Sequence, residues 1–151
     1  MRSRQGADGR NIVVGIDGSS ASTAALRWAV RQAQLTGASI DAVMAWQMPP
    51  SFAWISESAT GVGDYRRQAH RVVAEAIRQS HADEAGVKIE PWVQEGHPAH
   101  VLIEASRGAQ LLVVGSRGHG GFASALLGSV SQNCIHHASC PVLVIRADGG
   151  R

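Results

Sequence analysis

The stretch LLVVGSRGHGG, residues 111–121, decides the fold of this chain. Four apolar residues run directly into a segment with four glycines in seven residues, and Gly128-Ser129 follows Gly118 after nine intervening residues. A short apolar run that ends in glycine is typical of a buried strand that leads into a turn. Glycines let several backbone N–H groups approach one anion, and the positive end of a following helix adds to the attraction. The stretch therefore predicts a strand, a phosphate-binding loop and a helix.

The same order of strand and helix repeats along the chain. Apolar runs predict five strands, at residues 11–17, 39–46, 87–94, 111–114 and 141–145. Four helices are predicted between them: one is capped by Ser20 or Ser22, one is capped by Asp64 and ends at Gly86, one begins at Pro98, and one carries Leu127 to Ile135. Residues 47–63 hold prolines and glycines without a period, which predicts a long loop.

Strict alternation of strands and helices predicts an α/β fold with a five-stranded parallel sheet and helices on both faces. Pro91 favours an edge position for the third strand. If the strand order is 3-2-1-4-5, strands one and four are neighbours whose crossovers leave in opposite directions, so a crevice opens at their carboxyl ends. The turn at Asp17 and the glycine loop at 115–121 would line that crevice.

Length and charge exclude several classes of protein. The 151 residues fit one domain at 11–146, with flexible tails at 1–10 and 147–151. The net charge of +2 comes from arginines in the tails, and residues 11–145 carry nine basic and ten acidic side chains. A nucleic-acid partner is therefore not expected. No apolar run approaches the ~18 residues of a membrane span and the first ten residues lack an apolar core, so we expect a cytoplasmic protein without a membrane partner.

Spacing separates three designs of phosphate loop. A Walker loop needs a lysine after its last glycine, but Lys88 is the only lysine in the chain. A dinucleotide fingerprint can be placed on residues 118–123, but the acid expected about 20 residues later is missing. The third pattern is Gly-x-x-Gly, nine residues, then Gly-Ser, and it is met by Gly115, Gly118, Gly128 and Ser129 without adjustment.

With this pattern the chain resembles the universal stress protein family, in its ATP-binding branch, over residues 11–146. The residues that carry the resemblance are VGIDGS at 14–19, GHPA at 96–99, GSRGHGGF at 115–122, LGSVS at 127–131 and HHASCPV at 136–142. The resemblance implies the 3-2-1-4-5 sheet, a Rossmann-like nucleotide-binding fold, and a site for ATP with magnesium. It also implies a homodimer that pairs through the last strand, at Val142, Leu143, Val144 and Ile145.

The resemblance further implies a role for each part of the site. Asp17 would lie near the ribose and the magnesium-bound phosphates, Ala45 beside the adenine, and Gly128 to Val130 at the end of the phosphate chain. The implied nucleotide-binding residues are Gly15, Asp17, Ala45, Gly115, Ser116, Arg117, Gly118, His119, Gly120, Gly121, Gly128, Ser129 and Val130.

Simpler roles stay open for several of these residues. Asp17 can cap the first helix, Ser129 can occupy its helix's first turn, and Arg117 can either neutralise phosphate or stay solvated. Cys134, His136, His137 and Cys140 contain zinc-ligand chemistry, but their spacing along a helix and past its end argues against a zinc site.

The favoured function is a nucleotide-responsive regulatory or stress-survival module with little or slow ATP hydrolysis, because hydrolysis needs a base and a positioned water that the loop does not supply beyond Asp17. One alternative is a dimeric interaction or chaperone-like protein that acts without nucleotide. The other is a nucleotidyl-transfer enzyme, which would need a second substrate pocket.

Overall fold

The structure is a computed structural model that describes residues 9–48, 60–117 and 127–147. Within these ranges five strands alternate with helices. The strands are β1 (Asn11–Gly15), β2 (Ser39–Trp46), β3 (Ile89–Glu95), β4 (Leu111–Gly115) and β5 (Val142–Ile145). The helices are α1 (Ser20–Thr36), α2 (Thr60–Gln79), α3 (Ala82–Ala85), α4 (Pro98–Ala105) and α5 (Ser129–His137).

The five strands form one parallel sheet in the order β3-β2-β1-β4-β5, which confirms the predicted fold class. β3, which contains Pro91, lies at one edge of the sheet, as its proline predicts. β1 lies at the centre between β2 and β4, with Gly15 opposite Val43 and Val14 opposite Val113. The carboxyl ends of β1 and β4 therefore meet at one edge of the sheet, where the crevice was predicted.

Helices cover both faces of the sheet because successive strand residues point to opposite sides. Ile12 and Val14 pack with residues of α1 and α2 on one face, including Leu26 and Val73. Val13 packs on the other face against α4 and α5. β1 and β4 are buried on both faces, which explains why their sequences are almost wholly apolar.

A buried polar pair joins β1 to β2 near the amino end of β1. Asn11 Nδ2 donates to Asp41 Oδ2 over 2.7 Å, and Asp41 is 1% exposed. Asn11 Oδ1 is buried without a hydrogen-bond partner in the described part of the chain, so the pair cannot satisfy all its polar atoms. Both side chains lie on the face covered by α4 and α5, because they share the strand parity of Val13 and Val43.

Several predicted boundaries were wrong; among them, β3 begins at Ile89 and not at Val87, and Leu127 lies before α5. α2 begins at Thr60 and not at Asp64, whose carboxylate instead pairs with Arg67 at 2.6 Å one turn later. The stretch 80–86 is not a continuation of α2, because the chain turns at His81 (φ 55°) and forms the separate α3, so the described ranges hold five helices and not four. β1 ends at Gly15 and not at Asp17. The predicted tails lie almost wholly outside the described residues, as does most of the predicted loop at 47–63.

Candidate functional site

The carboxyl ends of the central strands bring the first group of predicted site residues together. The Ile16 N–H donates to the Val43 carbonyl at 2.8 Å, so β1 continues to follow β2 past its last paired residue. Extending the register from Gly15 opposite Val43 by two residues places Ala45 opposite Asp17. Ala45 is half-buried. Asp17 and Ala45 thus flank the same edge of the sheet, as the sequence predicts.

Asp17 shapes the turn that leads into α1. Its Oδ1 accepts the Ser19 N–H at 2.8 Å across Gly18, whose φ of 82° favours glycine. Ser19 then caps α1 by accepting the Ser22 N–H at 3.1 Å, so the predicted caps Ser20 and Ser22 were wrong. The helix-capping role left open for Asp17 is therefore wrong, because Ser19 is the N-cap and Asp17 instead closes the turn before the helix. Within the described ranges only one of its two carboxylate oxygens is engaged, which leaves the other for a cation or a ligand hydroxyl.

Gly115 lies against the first turn of α1. A Cβ placed on Gly115 would stand 2.7 Å from Ala21 Cβ and 2.9 to 3.0 Å from backbone atoms of Ala21 and Ser22. The Ser22 hydroxyl in turn lies 3.4 Å from the Asp17 N–H. The end of β4 and the Asp17 turn are therefore connected through the start of α1, and glycine at 115 is required by this helix contact.

Ser116 and Gly128 connect the end of β4 to the start of α5. The Ser116 N–H donates to the Ile145 carbonyl at 2.8 Å, and the Gly128 N–H donates to the Ser116 carbonyl at 2.7 Å. Both amides were predicted to bind phosphate, and both already have backbone acceptors. Their N–H groups are therefore not available to a ligand and instead join β4, β5 and α5, while a nucleotide contact through other atoms of Ser116 and Gly128 stays a prediction.

The first turn of α5 keeps donors that the helix itself cannot use. Gly128 is the N-cap residue and supplies no side-chain cap, and the first turn contains no acidic residue. The N–H groups of Ser129, Val130 and Ser131 have no acceptor inside the helix, because the first intrahelical bond runs from Gln132 to Gly128 at 3.0 Å. Ser129 is exposed and Val130 half-buried. This turn can accept an anion at the positive end of the helix dipole.

Gly15 is close-packed for a different reason from Gly115. A Cβ on Gly15 would stand 2.9 Å from Leu102 Cδ1 of α4, and this atom is the end of a flexible side chain. We expect Gly15→Ala to lower the free energy of unfolding by only about 1 kcal/mol, since Leu102 can move. Chemical denaturation measures this. A loss equal to or greater than that measured for Gly115→Ala in the same assay would contradict the expected freedom of Leu102 to move.

Some of the remaining predicted site residues lie outside the part of the chain that the structure describes. Arg117 is exposed at the end of the described segment. Gly118, His119, Gly120 and Gly121 lie outside the described residues and stay predictions from the sequence. Ser19, Ser22 and Ser131 belong to the site's scaffold but were not predicted to do so. The spacing of Ser19 and Ser22, a cap and the third residue after it, was the available signal.

The cysteine and histidine cluster does not form a metal site in the described part of the chain. No group of three or more His, Cys, Asp or Glu side chains there could hold an ion. Cys134 and Cys140 are free thiols. Burial raises the pKa of Cys134 to about 11, with nearby Cys140 as a second cause, so Cys134 stays protonated at neutral pH. Cys134 packs instead into the core beneath α4 and α5.

Two further observations concern the rest of the molecule. A cleft of about 370 Å³ opens at the opposite, amino edge of the sheet, between the end of α1 and the start of β3, and none of the predicted site residues lines it. None of the helices in the described ranges has the length and apolarity required to cross a bilayer.

The fold and site define a doubly wound α/β domain with a candidate anion site where β1 and β4 end, the position at which such sheets bind their ligands. The sequence profile of the universal stress protein family matches residues 9–146. The chain therefore belongs to the universal stress protein family.

Individual relatives agree with this assignment. A universal stress protein of Mycolicibacterium smegmatis is 36% identical over an alignment of 152 positions, which covers 95% of this chain and 50% of the relative. The solved universal stress protein UspA from Lactobacillus plantarum is 25% identical, with a TM-score of 0.76 over 91% of this chain and 98% of that one. A universal stress protein solved in complex with cAMP is 29% identical, with a TM-score of 0.68 over 92% of this chain and 98% of that one.

The chain spans about half the length of the curated relatives it matches. The two solved structures named above, in contrast, are covered almost from end to end. The curated relatives and these two solved structures therefore each share one domain of this fold with the chain.

Proposed function

We propose that this chain is an ATP-binding regulatory module that takes the nucleotide, with magnesium, at the carboxyl edge of β1 and β4. The observation that carries the proposal is the first turn of α5. Its N–H groups lack intrahelical acceptors, its N-cap is a glycine without a side-chain cap, and backbone hydrogen bonds hold it beside the end of β4. A phosphate group fits these donors and the helix dipole.

The family relation supports adenine as the base. A relative of 29% identity is solved with cAMP, an adenine nucleotide, so this fold accommodates adenine at that sequence distance. In this chain the proposed place for the base is beside Ala45, a small residue at the edge where β2 ends. A small side chain there leaves room for a planar ring.

Asp17 suits the proposed magnesium because carboxylate oxygens are the hard ligands that this ion prefers. We expect Asp17→Asn to keep the turn, since an amide oxygen can still accept the Ser19 N–H. The affinity for ATP in magnesium should fall about tenfold, while the affinity in excess chelator should not fall, because the charge that attracts the metal is lost. Calorimetric titrations in both buffers measure this, and equal losses in both would contradict a metal role.

We also propose a homodimer that pairs through β5, the sheet edge opposite β3. All four β5 residues are apolar and half-buried in the single chain. An apolar strand of this kind with an open edge can pair with another strand. A two-fold axis beside β5 would join two sheets through the same strand of each copy.

We propose little or slow hydrolysis. Asp17 is the carboxylate of the described part of the site, and its Oδ1 is already bonded to the Ser19 N–H. A general base must reach the attacking water in a suitable geometry, and this carboxylate is committed to the turn and to the proposed metal. A cytoplasmic location, where ATP is abundant, fits this function and stays part of the proposal.

Isothermal titration of protein freed of nucleotide tests the function directly. We expect binding of ATP with magnesium at one site per chain and weaker binding of GTP. No heat of binding at millimolar ATP would exclude the proposal and favour the nucleotide-independent interaction protein. Release of pyrophosphate on addition of a cell extract would favour the nucleotidyl-transfer enzyme.

A further inference from the structure

Ser131 connects α5 to the segment that follows β4 through a buried side-chain hydrogen bond, while Gln132 Nε2 makes a second, exposed one to the Leu127 carbonyl at 3.2 Å. Its Oγ lies 3.2 Å from the Ser116 carbonyl oxygen and 2.9 Å from the Gly128 carbonyl oxygen. Ser131 is 2% exposed and Ser116 is 5% exposed. A buried hydroxyl in this position cannot exchange these acceptors for water without opening the junction.

The Ser116 peptide group is the centre of this junction. Its N–H donates to the Ile145 carbonyl at the end of β5, and its carbonyl accepts the Gly128 N–H and shares the single proton of the Ser131 hydroxyl with the Gly128 carbonyl. A carbonyl oxygen has two lone pairs and can accept two donors. One peptide group therefore connects the edge strand, the end of β4 and the start of α5. We call the contact of Ser131 with Ser116 and Gly128 the Ser131 bridge.

We propose that Ser131 is a positioning residue for the nucleotide site: the Ser131 bridge fixes the first turn of α5 against β4, so that the Ser129 and Val130 amides are aligned before a phosphate arrives. This inference rests on the proposed function. Fixed donors cost no ordering when the ligand binds, whereas a turn that moves must first be ordered. Ser131 does not itself need to touch the nucleotide, since its hydroxyl faces the protein.

The chain offers a matched control for this proposal. Ser106 is also a fully buried serine whose Oγ bonds to the carbonyl three residues earlier, Ile103, at 3.0 Å. It lies at the end of α4, at the amino edge of the sheet and away from the proposed site. Ser106→Ala therefore removes the same kind of local bond without touching the junction.

The test compares Ser131→Ala, Ser131→Cys and Ser106→Ala in the full chain. Both alanine variants should lower the thermal midpoint by a few degrees. Ser131→Ala should weaken ATP binding about tenfold, and Ser106→Ala should change it by less than about twofold. Ser131→Cys fills the space but is a weak donor, so it should bind as poorly as Ser131→Ala. Equal affinities in Ser131→Ala and Ser106→Ala, or recovery in Ser131→Cys, would overturn the positioning role.

Amide hydrogen exchange without nucleotide provides the readout that separates this inference from the proposed function. The Gly128 N–H should exchange at least about tenfold faster in Ser131→Ala than in the parent and in Ser106→Ala, because the junction opens more often. If the parent chain binds no adenine nucleotide, the proposed function fails, and the role of Ser131 in fixing the turn is then decided by this exchange rate. An unchanged rate would refute the Ser131 bridge in either case.

Discussion

Gly115→Ala is expected to lower the free energy of unfolding by about 1 to 3 kcal/mol. The added methyl would stand 2.7 Å from Ala21 Cβ and within 3.0 Å of backbone atoms, and neither a strand nor the start of a helix can move without breaking hydrogen bonds. Because Ser22 of α1 and the N-cap Ser19 hold the Asp17 turn, the affinity for ATP should also fall more than tenfold. Denaturation and calorimetry measure the two effects.

Gly63→Ala is the control for this variant. Its Cβ would meet only the end of the Arg67 side chain, at 3.5 Å, and Gly63 lies inside α2. Alanine is the better helix former, so stability should rise by about 0.5 to 1 kcal/mol. If Gly115→Ala were as harmless as Gly63→Ala, the close contact between β4 and α1 would be wrong.

Val144→Pro is expected to weaken the proposed dimer strongly and to leave the folded chain intact. The N–H groups of Leu112 in β4 and of Ser116 just after it donate to the carbonyls of Pro141, just before β5, and Ile145, so the backbone polar groups of the odd-numbered β5 residues face β4. Alternation then directs the Val144 N–H toward the open edge. Proline removes that donor in both copies, which should weaken dimerisation about 100-fold. Analytical ultracentrifugation measures the association.

Leu143→Pro provides the opposite case on the same strand. Leu143 is paired with Val113 in the ladder between β4 and β5, and its N–H faces β4, so proline there should unfold the last strand and lower stability sharply. A dimer that survives Val144→Pro would exclude pairing through β5. Circular dichroism of both variants separates loss of assembly from loss of fold.

The fold could be predicted because its signals are local and repeated. The apolar runs of β1 and β4, the edge proline of β3 and the glycine after α1 each indicate one element, and alternation leaves few topologies. The wrong helix boundaries lie at residues that can take two different structural roles. Asp64 has the chemistry of a cap but pairs within a helix that has already begun. His81 adopts a left-handed backbone conformation that separates α2 from α3, and no residue type in the sequence predicts it.

The site was harder to predict because glycine and serine serve both ligand and scaffold. The sequence places Gly115 and Gly128 in a phosphate pattern, but the first is required by contact with α1 and the N–H of the second is bonded to Ser116. Such roles depend on which elements pack together, which no local pattern contains. The N–H groups of Ser129 and Val130 are the part of the predicted pattern that the described structure leaves accessible to a phosphate.

The most direct test of the central claim is a nuclear magnetic resonance titration of ¹⁵N-labelled protein with ATP and magnesium. The amide signals of Ser129, Val130 and Asp17 should shift together and saturate at one nucleotide per chain, while those of Gly86 and Lys88 at the opposite edge stay in place. Saturating shifts at the amino edge, or an unmoved first turn of α5 at full occupancy, would contradict the account.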